Sequence, residues 1–253
     1  MRSKAALRFV TCYAWRSKPR SVRILRPFAS GCRGRLTVDP RYVPGPAVFY
    51  GMRADGMATL RAAQAHGDWY YIDNAYFGRE TYYRVTRNAL QYRGKERPDW
   101  RRWARLRQPV EPWRRDGRDI LLCLQSEVFH DLIGQPRAAW VANVRAELRR
   151  HTDRPVIVRE KGDATPLSAQ LADCWAVVTL QSNCALDSIC SGVPAFVLGE
   201  SAAAPLALSD LSQIERPLYR DDREPWLATL AGQQWTLDEF RNGTAWSALR
   251  GTG

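Results

Sequence analysis

Residues 177–199 restrict the possible fold more than any other part of the chain. An apolar run over residues 176–180 is followed by three polar residues, a helical pattern over 184–191, a glycine, and a second apolar run over 194–198. Strands that are apolar throughout are typical of a parallel sheet buried on both faces. The polar turn falls at the start of the helix, where free backbone N–H groups and the helix dipole favour an anion. The stretch therefore predicts half of a nucleotide-binding α/β sheet, with a phosphate at the turn.

The preceding residues continue this alternation of strand and helix. Strands are predicted over residues 119–126 and 155–158, a loop from Glu127 to Gly134, and helices over 140–150 and 167–174. Such a series indicates a parallel sheet covered by helices on both faces. After it, residues 226–231 and 237–249 have helical patterns.

The carboxyl ends of parallel strands lie along one edge of a sheet, so the polar residues that follow these strands form a candidate anion site. Two cations with hydroxyl and amide groups suit a diphosphate and neutralise it without a metal. One turn into the helix, Asp187 is within reach of a sugar or ribose hydroxyl, although a first-turn carboxylate that only complements the helix dipole is the simpler interpretation. The candidate residues are Gln125, Ser126, Arg159, Lys161, Gln181, Ser182 and Asn183.

In the first half of the chain, residues 47–74 read as a β-α-β unit whose second strand ends at Asp73 and Asn74. Aromatic Tyr76 and Phe77 follow directly, a mixture typical of a pocket for a ring-shaped substrate. The alternative is a carboxylate that only caps a turn. A first strand is predicted over residues 7–13.

Positive charge is concentrated in the first half. Residues 1–118 contain 26 Lys and Arg against 9 Asp and Glu, whereas residues 119–253 contain 12 against 17. This asymmetry divides the chain into a basic lobe (1–118) and a second lobe (119–253), and it suggests that the first lobe meets a polyanion. An arginine-rich genome would explain the choice of Arg over Lys, but not the confinement of the excess to one half.

Two segments contain most of this charge. Residues 15–35 read as a basic loop that either contacts phosphates or is simply solvated. Residues 81–119 interleave arginines with aromatic residues, which suits phosphates and stacked bases but equally suits a linker between lobes.

Several classes of protein lose support. The sequence has no P-loop, no dinucleotide fingerprint, no serine-hydrolase elbow, no zinc-protease motif and no Asp-x-Asp. Its six cysteines include no C-x-x-C pair and are expected to be buried thiols, and three separated histidines do not indicate a metal centre. Because no apolar run has secretory or membrane-spanning length, we expect a cytoplasmic protein with no membrane span. We also expect a monomer.

Two segments resemble known proteins. Residues 179–199, TLQSNCALDSICSGVPAFVLG, resemble the donor-lobe signature of glycosyltransferases with two Rossmann-like lobes, the GT-B architecture. Residues 71–91, YIDNAYFGRETYYRVTRNALQ, resemble part of phage and bacterial polysaccharide-type glycosyltransferase-like proteins. The resemblance implies an α/β fold with two abbreviated lobes whose parallel sheets face a central cleft. It also implies a nucleotide-sugar donor, most simply a UDP-sugar, held by the residues named above without a metal.

In this resemblance Asp73 is the general base that activates an acceptor hydroxyl. Joined to the charge asymmetry, it favours a hydroxymethylated pyrimidine in double-stranded phage DNA as the acceptor. The alternatives are a transferase of capsule or lipopolysaccharide synthesis and a non-catalytic nucleic-acid-binding protein. The expected acceptor-binding residues are Asn74, Tyr76, Arg84, Arg87, Arg101 and Arg102.

Overall fold

The computed structural model of the chain describes residues 9–38, 41–95 and 97–251. They fall into two compact units: the described residues up to Leu90 with those from Gly232 onward, and Gln91–Ala231. This division differs from the predicted boundary after residue 118. The C-terminal residues return to the first unit, whereas the Arg- and Trp-rich residues from Gln91 onward belong to the second.

A six-stranded mixed sheet forms the centre of the first unit, in the order β10-β5-β4-β3-β1-β2. Strands β2, β1, β3 and β4 are parallel, as predicted, while β5 and β10 are each antiparallel to their inner neighbour. The strands are β1 (Thr11–Tyr13), β2 (Arg35–Thr37), β3 (Ala47–Tyr50), β4 (Trp69–Asn74), β5 (Tyr82–Arg87) and β10 (Gln234–Thr236). The helices are α1 (Arg20–Gly31), α2 (Met57–His66), α9 (Leu237–Arg241) and α10 (Thr244–Gly251).

The predicted β-α-β unit over residues 47–74 is confirmed by β3, α2 and β4. Of the predicted first strand, residues 11–13 are confirmed as β1, while residues 7 and 8 lie outside the described part of the chain. The interpretation of residues 15–35 as a basic loop was wrong, because this segment contains α1. Its arginines at positions 20, 23 and 26 are exposed on one side, whereas Ile24, Leu25 and Phe28 are buried on the other.

The C-terminal residues pack on α1. Phe28 meets Phe240 edge-on, with ring centroids 5.1 Å apart, and meets Trp246 in the same manner at 6.0 Å. The single helix predicted over residues 237–249 is instead two helices, because Gly243 has a φ of 83° that a continuing helix does not allow.

A four-stranded parallel sheet forms the centre of the second unit, in the order β7-β6-β8-β9. This confirms the predicted alternation of strands and helices. Its strands are β6 (Asp119–Cys123), β7 (Val156–Arg159), β8 (Cys174–Thr179) and β9 (Ala195–Val197). Its helices are α3 (Trp100–Leu106), α4 (Glu127–Ile133), α5 (Arg137–Leu148), α6 (Leu167–Leu171), α7 (Cys184–Cys190) and α8 (Arg223–Gly232).

The loop predicted from Glu127 to Gly134 is in fact helix α4. Ser126 caps it by accepting a hydrogen bond from the backbone N–H of Phe129 at 3.3 Å, and Gly134 ends it with a φ of 69°. Both ends of α4 therefore have local sequence signals that a composition-based interpretation overlooks.

Candidate functional site

The ends of the four parallel strands in the second unit lie side by side. Cys123 of β6 is in register with Arg159 of β7 and with Thr179 of β8, and Thr179 is in register with Val197 of β9. The polar residues after these strands therefore share one edge of the sheet, as the sequence predicted for parallel strands.

Thr179 joins two of these strand ends. Its hydroxyl donates to the Cys123 carbonyl at 2.8 Å and accepts from the Ser182 N–H at 3.3 Å, and the residue is completely buried. The polar turn thus begins at a fixed point of the sheet. Thr179 is not among the predicted site residues, although a threonine that ends an apolar strand is a recognisable signal.

The turn over residues 181–183 leads into α7, but its geometry differs from the prediction. The Ser182 hydroxyl accepts from the Cys184 N–H at 3.3 Å, and the Ser182 carbonyl accepts from the Ala185 N–H at 3.2 Å. The expectation of free N–H groups at this helix start was therefore wrong for these two donors, because the turn itself satisfies them. A phosphate bound at this turn would replace the Ser182 hydroxyl as the acceptor of the Cys184 N–H. The dipole of α7 would still favour the negative charge of the phosphate.

Gln91 supports the same turn from outside it. Its side-chain amide donates to the Gln181 carbonyl at 3.2 Å, and both residues are buried. Because the two are far apart in sequence, no local pattern pointed to this contact.

A strap over residues 111–114 and one arginine hold the other end of α7. The N–H groups of Glu111 and Arg114 donate to the carbonyls of Cys190 and Gly192 at 2.7 and 2.8 Å. Arg223 is buried, donates to the Ile189 carbonyl at 2.7 Å, and also bonds the Glu111 carbonyl. Helix α7 is thus fixed at both ends by residues that sequence patterns did not indicate.

The two predicted cations of this edge differ in their availability. Arg159 donates one nitrogen to the Thr165 carbonyl at 2.8 Å and to the Gln170 side chain, so part of its guanidinium is already engaged. Lys161 is exposed in the turn after β7. Asp187 is half-buried in the first turn of α7, the position where it complements the helix dipole.

The end of β6 contributes Gln125 and Ser126, which are half-buried and exposed. The Ser126 hydroxyl is already engaged as the N-cap of α4. A cavity of about 540 Å³ lies next to these residues, beside α5 and β7. Its lining includes Glu127, Arg137 and Arg145. A volume of this size is in the usual range for small-ligand pockets.

In the first unit, Asp73 occupies the end of β4. One carboxylate oxygen is 3.2 Å from Arg84 and accepts from the Tyr71 hydroxyl at 3.4 Å, while the other accepts from the Asn74 N–H at 2.8 Å. Its side chain is 31% exposed. The carboxylate is therefore oriented by three partners and remains open to solvent, an arrangement that suits a general base.

Arg84 and Tyr76 do not occupy the positions expected for acceptor-binding residues. Arg84 is 3% exposed, pairs with Asp73, donates to the Leu90 carbonyl at 2.5 Å and lies over the rings of Tyr71 and Tyr76. Burial lowers its pKa, but Tyr76 and Asp73 outweigh this effect and leave the pKa above its usual value. Tyr76 is 1% exposed, and burial raises its pKa to about 12. Neither side chain is presented to a DNA phosphate or base.

The other expected acceptor residues are divided between the units. Asn74 follows Asp73 at the end of β4, and Arg87 ends β5 with a 3.6 Å ion pair to Asp68. Arg101 and Arg102 belong to α3 of the second unit, where Arg102 pairs with Asp99 at 3.8 Å.

The two units differ in their charge. The first unit contains 18 Lys and Arg against 7 Asp and Glu, and the second contains 20 Lys and Arg against 19 Asp and Glu. The basic excess thus stays in the first unit but does not include the Arg- and Trp-rich segment.

Among the described residues, no group of three or more His, Cys, Asp or Glu side chains is arranged to hold a metal ion. Within the same part of the chain, helices are too short or too polar to cross a bilayer.

No protein-family model matches the sequence, and no curated protein is similar to it in sequence. Among solved structures, the KpsC β-Kdo 2,4-transferase of Thermosulfurimonas dismutans superposes with a TM-score of 0.52 at 11% identity, over 90% of this chain and 92% of that one. The chain has a Rossmann-like glycosyltransferase fold. The KpsC β-Kdo 2,7-transferase of the same organism is also similar, with a TM-score of 0.49 at 11% identity over 95% and 99% of the two chains.

Proposed function

We propose that this protein is a glycosyltransferase that moves a sugar from a nucleotide-sugar donor to a hydroxyl of a glycan. The observation that supports it most is the edge of the second unit, where four parallel strand ends present Gln125, Arg159 and Ser182 on a glycosyltransferase-type fold. In this proposal the edge binds the phosphate portion of the donor, and Arg159 and Lys161 neutralise the charge that develops on the leaving group.

Asp73 takes the proton of the acceptor hydroxyl. The acceptor oxygen attacks the anomeric carbon while the bond from that carbon to the donor phosphate breaks. Arg84 and Tyr71 are positioning residues, because they hold the carboxylate without reaching solvent themselves. The similar solved structure makes Kdo the first candidate for the donor sugar, and the sequence resemblance makes UDP-hexoses the second.

A hydroxymethylated base in double-stranded DNA is the competing acceptor. Its support is the basic excess of the first unit, 18 Lys and Arg against 7 Asp and Glu. Two of the residues chosen for it, Arg84 and Tyr76, are buried, and Arg87 and Arg102 have carboxylate partners. A glycan acceptor is therefore favoured, and hydroxymethylated DNA is included in the test as the competing acceptor.

The test incubates the protein with activated Kdo or UDP-hexoses and with acidic oligosaccharides, hydroxymethylated DNA or unmodified DNA, and then measures the mass of each acceptor. We expect a gain of one sugar on an oligosaccharide. A gain only on hydroxymethylated DNA would instead establish the DNA acceptor, and no gain with any pair would reject glycosyl transfer.

The matched variants are Asp73→Asn and Asp55→Asn. Asp55 is an exposed carboxylate of the same unit that accepts from the Ser17 hydroxyl at 2.9 Å. Loss of a general base lowers kcat by about 10²- to 10⁴-fold, so Asp73→Asn should lose turnover while Asp55→Asn retains it. Equal turnover in both variants would reject the role of Asp73.

A further inference from the structure

Helix α3 presents one face to solvent. Its residues at positions 100, 101, 104 and 105 are exposed, while Trp103 on the opposite side is 9% exposed. Asp99 starts the helix by accepting from the Arg102 N–H at 2.8 Å, and its own N–H donates to the Ala228 carbonyl of α8 at 3.2 Å. The helix is therefore anchored to the second unit, and its outer face is a fixed surface. We call Trp100, Arg101, Ala104 and Arg105 the α3 surface.

Trp100 is unusual among the ten tryptophans, all of which the structure describes. It is 49% exposed, whereas each of the other nine is buried or half-buried. The indole N–H groups of Trp15, Trp113, Trp175 and Trp226 donate to backbone carbonyls. Trp100 has no such partner among the described residues. Its packing does not explain a large aromatic side chain at this position.

Several exposed basic residues lie close to Trp100 in sequence, and Arg101 and Arg105 share its exposed face of α3. In the segment formed by the described residues of 91–107, Arg93 and Arg102 have ion pairs, with Glu200 and Asp99. The remaining basic side chains of the segment are exposed and form no ion pair or hydrogen bond with described residues. They are Lys95, Arg97, Arg101, Arg105 and Arg107.

An exposed indole among unpaired cations matches the chemistry of an anionic bilayer surface. Tryptophan is enriched at the membrane interface, where its amphipathic ring lies at headgroup level. Each Lys or Arg near an anionic leaflet strengthens binding about fivefold. Single-stranded nucleic acid also uses arginine and aromatic rings, but it is held in a groove with several stacking rings. Here one ring lies on the convex face of a helix.

We propose that the α3 surface docks this protein peripherally on a bilayer that contains anionic lipid. The docking does not depend on the proposed transfer activity, so binding alone tests it.

The experiment measures co-sedimentation of the full chain with phosphatidylcholine vesicles that contain or lack phosphatidylglycerol. We expect binding only to the anionic vesicles, weakening as salt is added because the charges are exposed. The variant Arg101→Glu/Arg105→Glu should lower the partition constant at least tenfold. The control Arg149→Glu/Arg150→Glu makes the same charge change on exposed arginines after α5 and should keep more than half of the binding.

Trp100→Phe provides a second readout that overall charge does not affect. Tryptophan emission of the wild type should shift to shorter wavelength with anionic vesicles, and this shift should disappear in Trp100→Phe. Equal binding to both vesicle types, an equal loss in the two charge-reversed variants, or an unchanged shift in Trp100→Phe would each overturn the proposal. So would Trp100-dependent binding of a single-stranded oligonucleotide in the absence of vesicle binding.

Discussion

Gly31→Ala tests the close approach of the C-terminal residues to α1 in the first unit. A Cβ at this position would lie 1.9 Å from the Phe240 carbonyl oxygen and 2.8 Å from the Gly243 nitrogen. Both atoms are backbone, so no side chain can rotate away. Because Cβ atoms in proteins essentially never come closer than 3.0 Å to such atoms, the two segments would have to separate by about 1.1 Å.

We expect Gly31→Ala to lower the free energy of unfolding by about 3 kcal/mol. Overpacking at a rigid contact costs about 1–3 kcal/mol. Loosening of the edge-on contacts from Phe28 to Phe240 and Trp246 adds about 1 kcal/mol. The better helix propensity of alanine returns less than about 1 kcal/mol, because Gly31 is the last residue of α1. For a unit of this size the loss corresponds to a drop of roughly 10 °C in melting temperature.

Gly251→Ala is the matched control, since Gly251 also ends a helix of the first unit but a Cβ there would meet no atom of the described residues within 4 Å. The assay is differential scanning calorimetry together with amide hydrogen exchange, which reports loss of protection in α9 and α10 directly. Melting temperatures within about 2 °C of each other for the two variants would refute the close approach of the C-terminal residues to α1.

Three further changes test the candidate site and the core. Thr179→Val removes the hydroxyl that joins the ends of β6 and β8. It should raise the KM for the donor several-fold and lower the free energy of urea unfolding by about 1–2 kcal/mol. Thr179→Ser keeps the hydroxyl, so a similar rise in KM in that variant would contradict this reason. Arg223→Met removes the charged donor from the Ile189 and Glu111 carbonyls, so that among described donors Ile189 keeps only the Gly192 N–H at 3.2 Å, and it should cost about 3 kcal/mol by the same assay, with Arg223→Lys intermediate. A cost below about 1 kcal/mol would argue against this anchor. Burial raises the pKa of Tyr50 and Tyr76 from 10 to about 12, so the folded state holds these protons more tightly than the unfolded state. Each protonated tyrosine therefore stabilises the folded state fully below pH 10, and this contribution of about 2 kcal/mol per residue is lost as the pH rises toward 12. Urea unfolding midpoints that stay constant from about pH 9 to 11 would contradict this prediction.

The second unit was the more predictable part of the chain. Its strands are short apolar runs and its helices are separated by recognisable turns, so β6, β7, β8, β9 and the alternation between them follow from the residues in sequence order. Gly192 was expected to stop α7, and its φ of 74° is one that glycine adopts readily.

Helix α1 and strand β5 were missed for a different reason. Arginines interrupt the apolar pattern of both, and Pro27 lies inside α1, where proline usually ends a helix. In β5, Tyr83 and Val85 are buried on one face while Arg84 and Thr86 are buried on the other. An arginine at such a position looks exposed until its partner Asp73 on the neighbouring strand is known.

The sequence by itself determined the alternating elements of the second unit, the edge on which their polar turns meet and the position of Asp73 at the end of a strand. These features depend on residues that are close together in the chain, because hydrophobic periodicity and turn residues act locally. Only the tertiary structure decided that residues from Gly232 onward return to the first unit, that Arg84 is buried and that Trp100 is exposed. Each of these depends on contacts between residues distant in sequence, and the burial of a charged or aromatic side chain is set by such partners rather than by its neighbours in the chain.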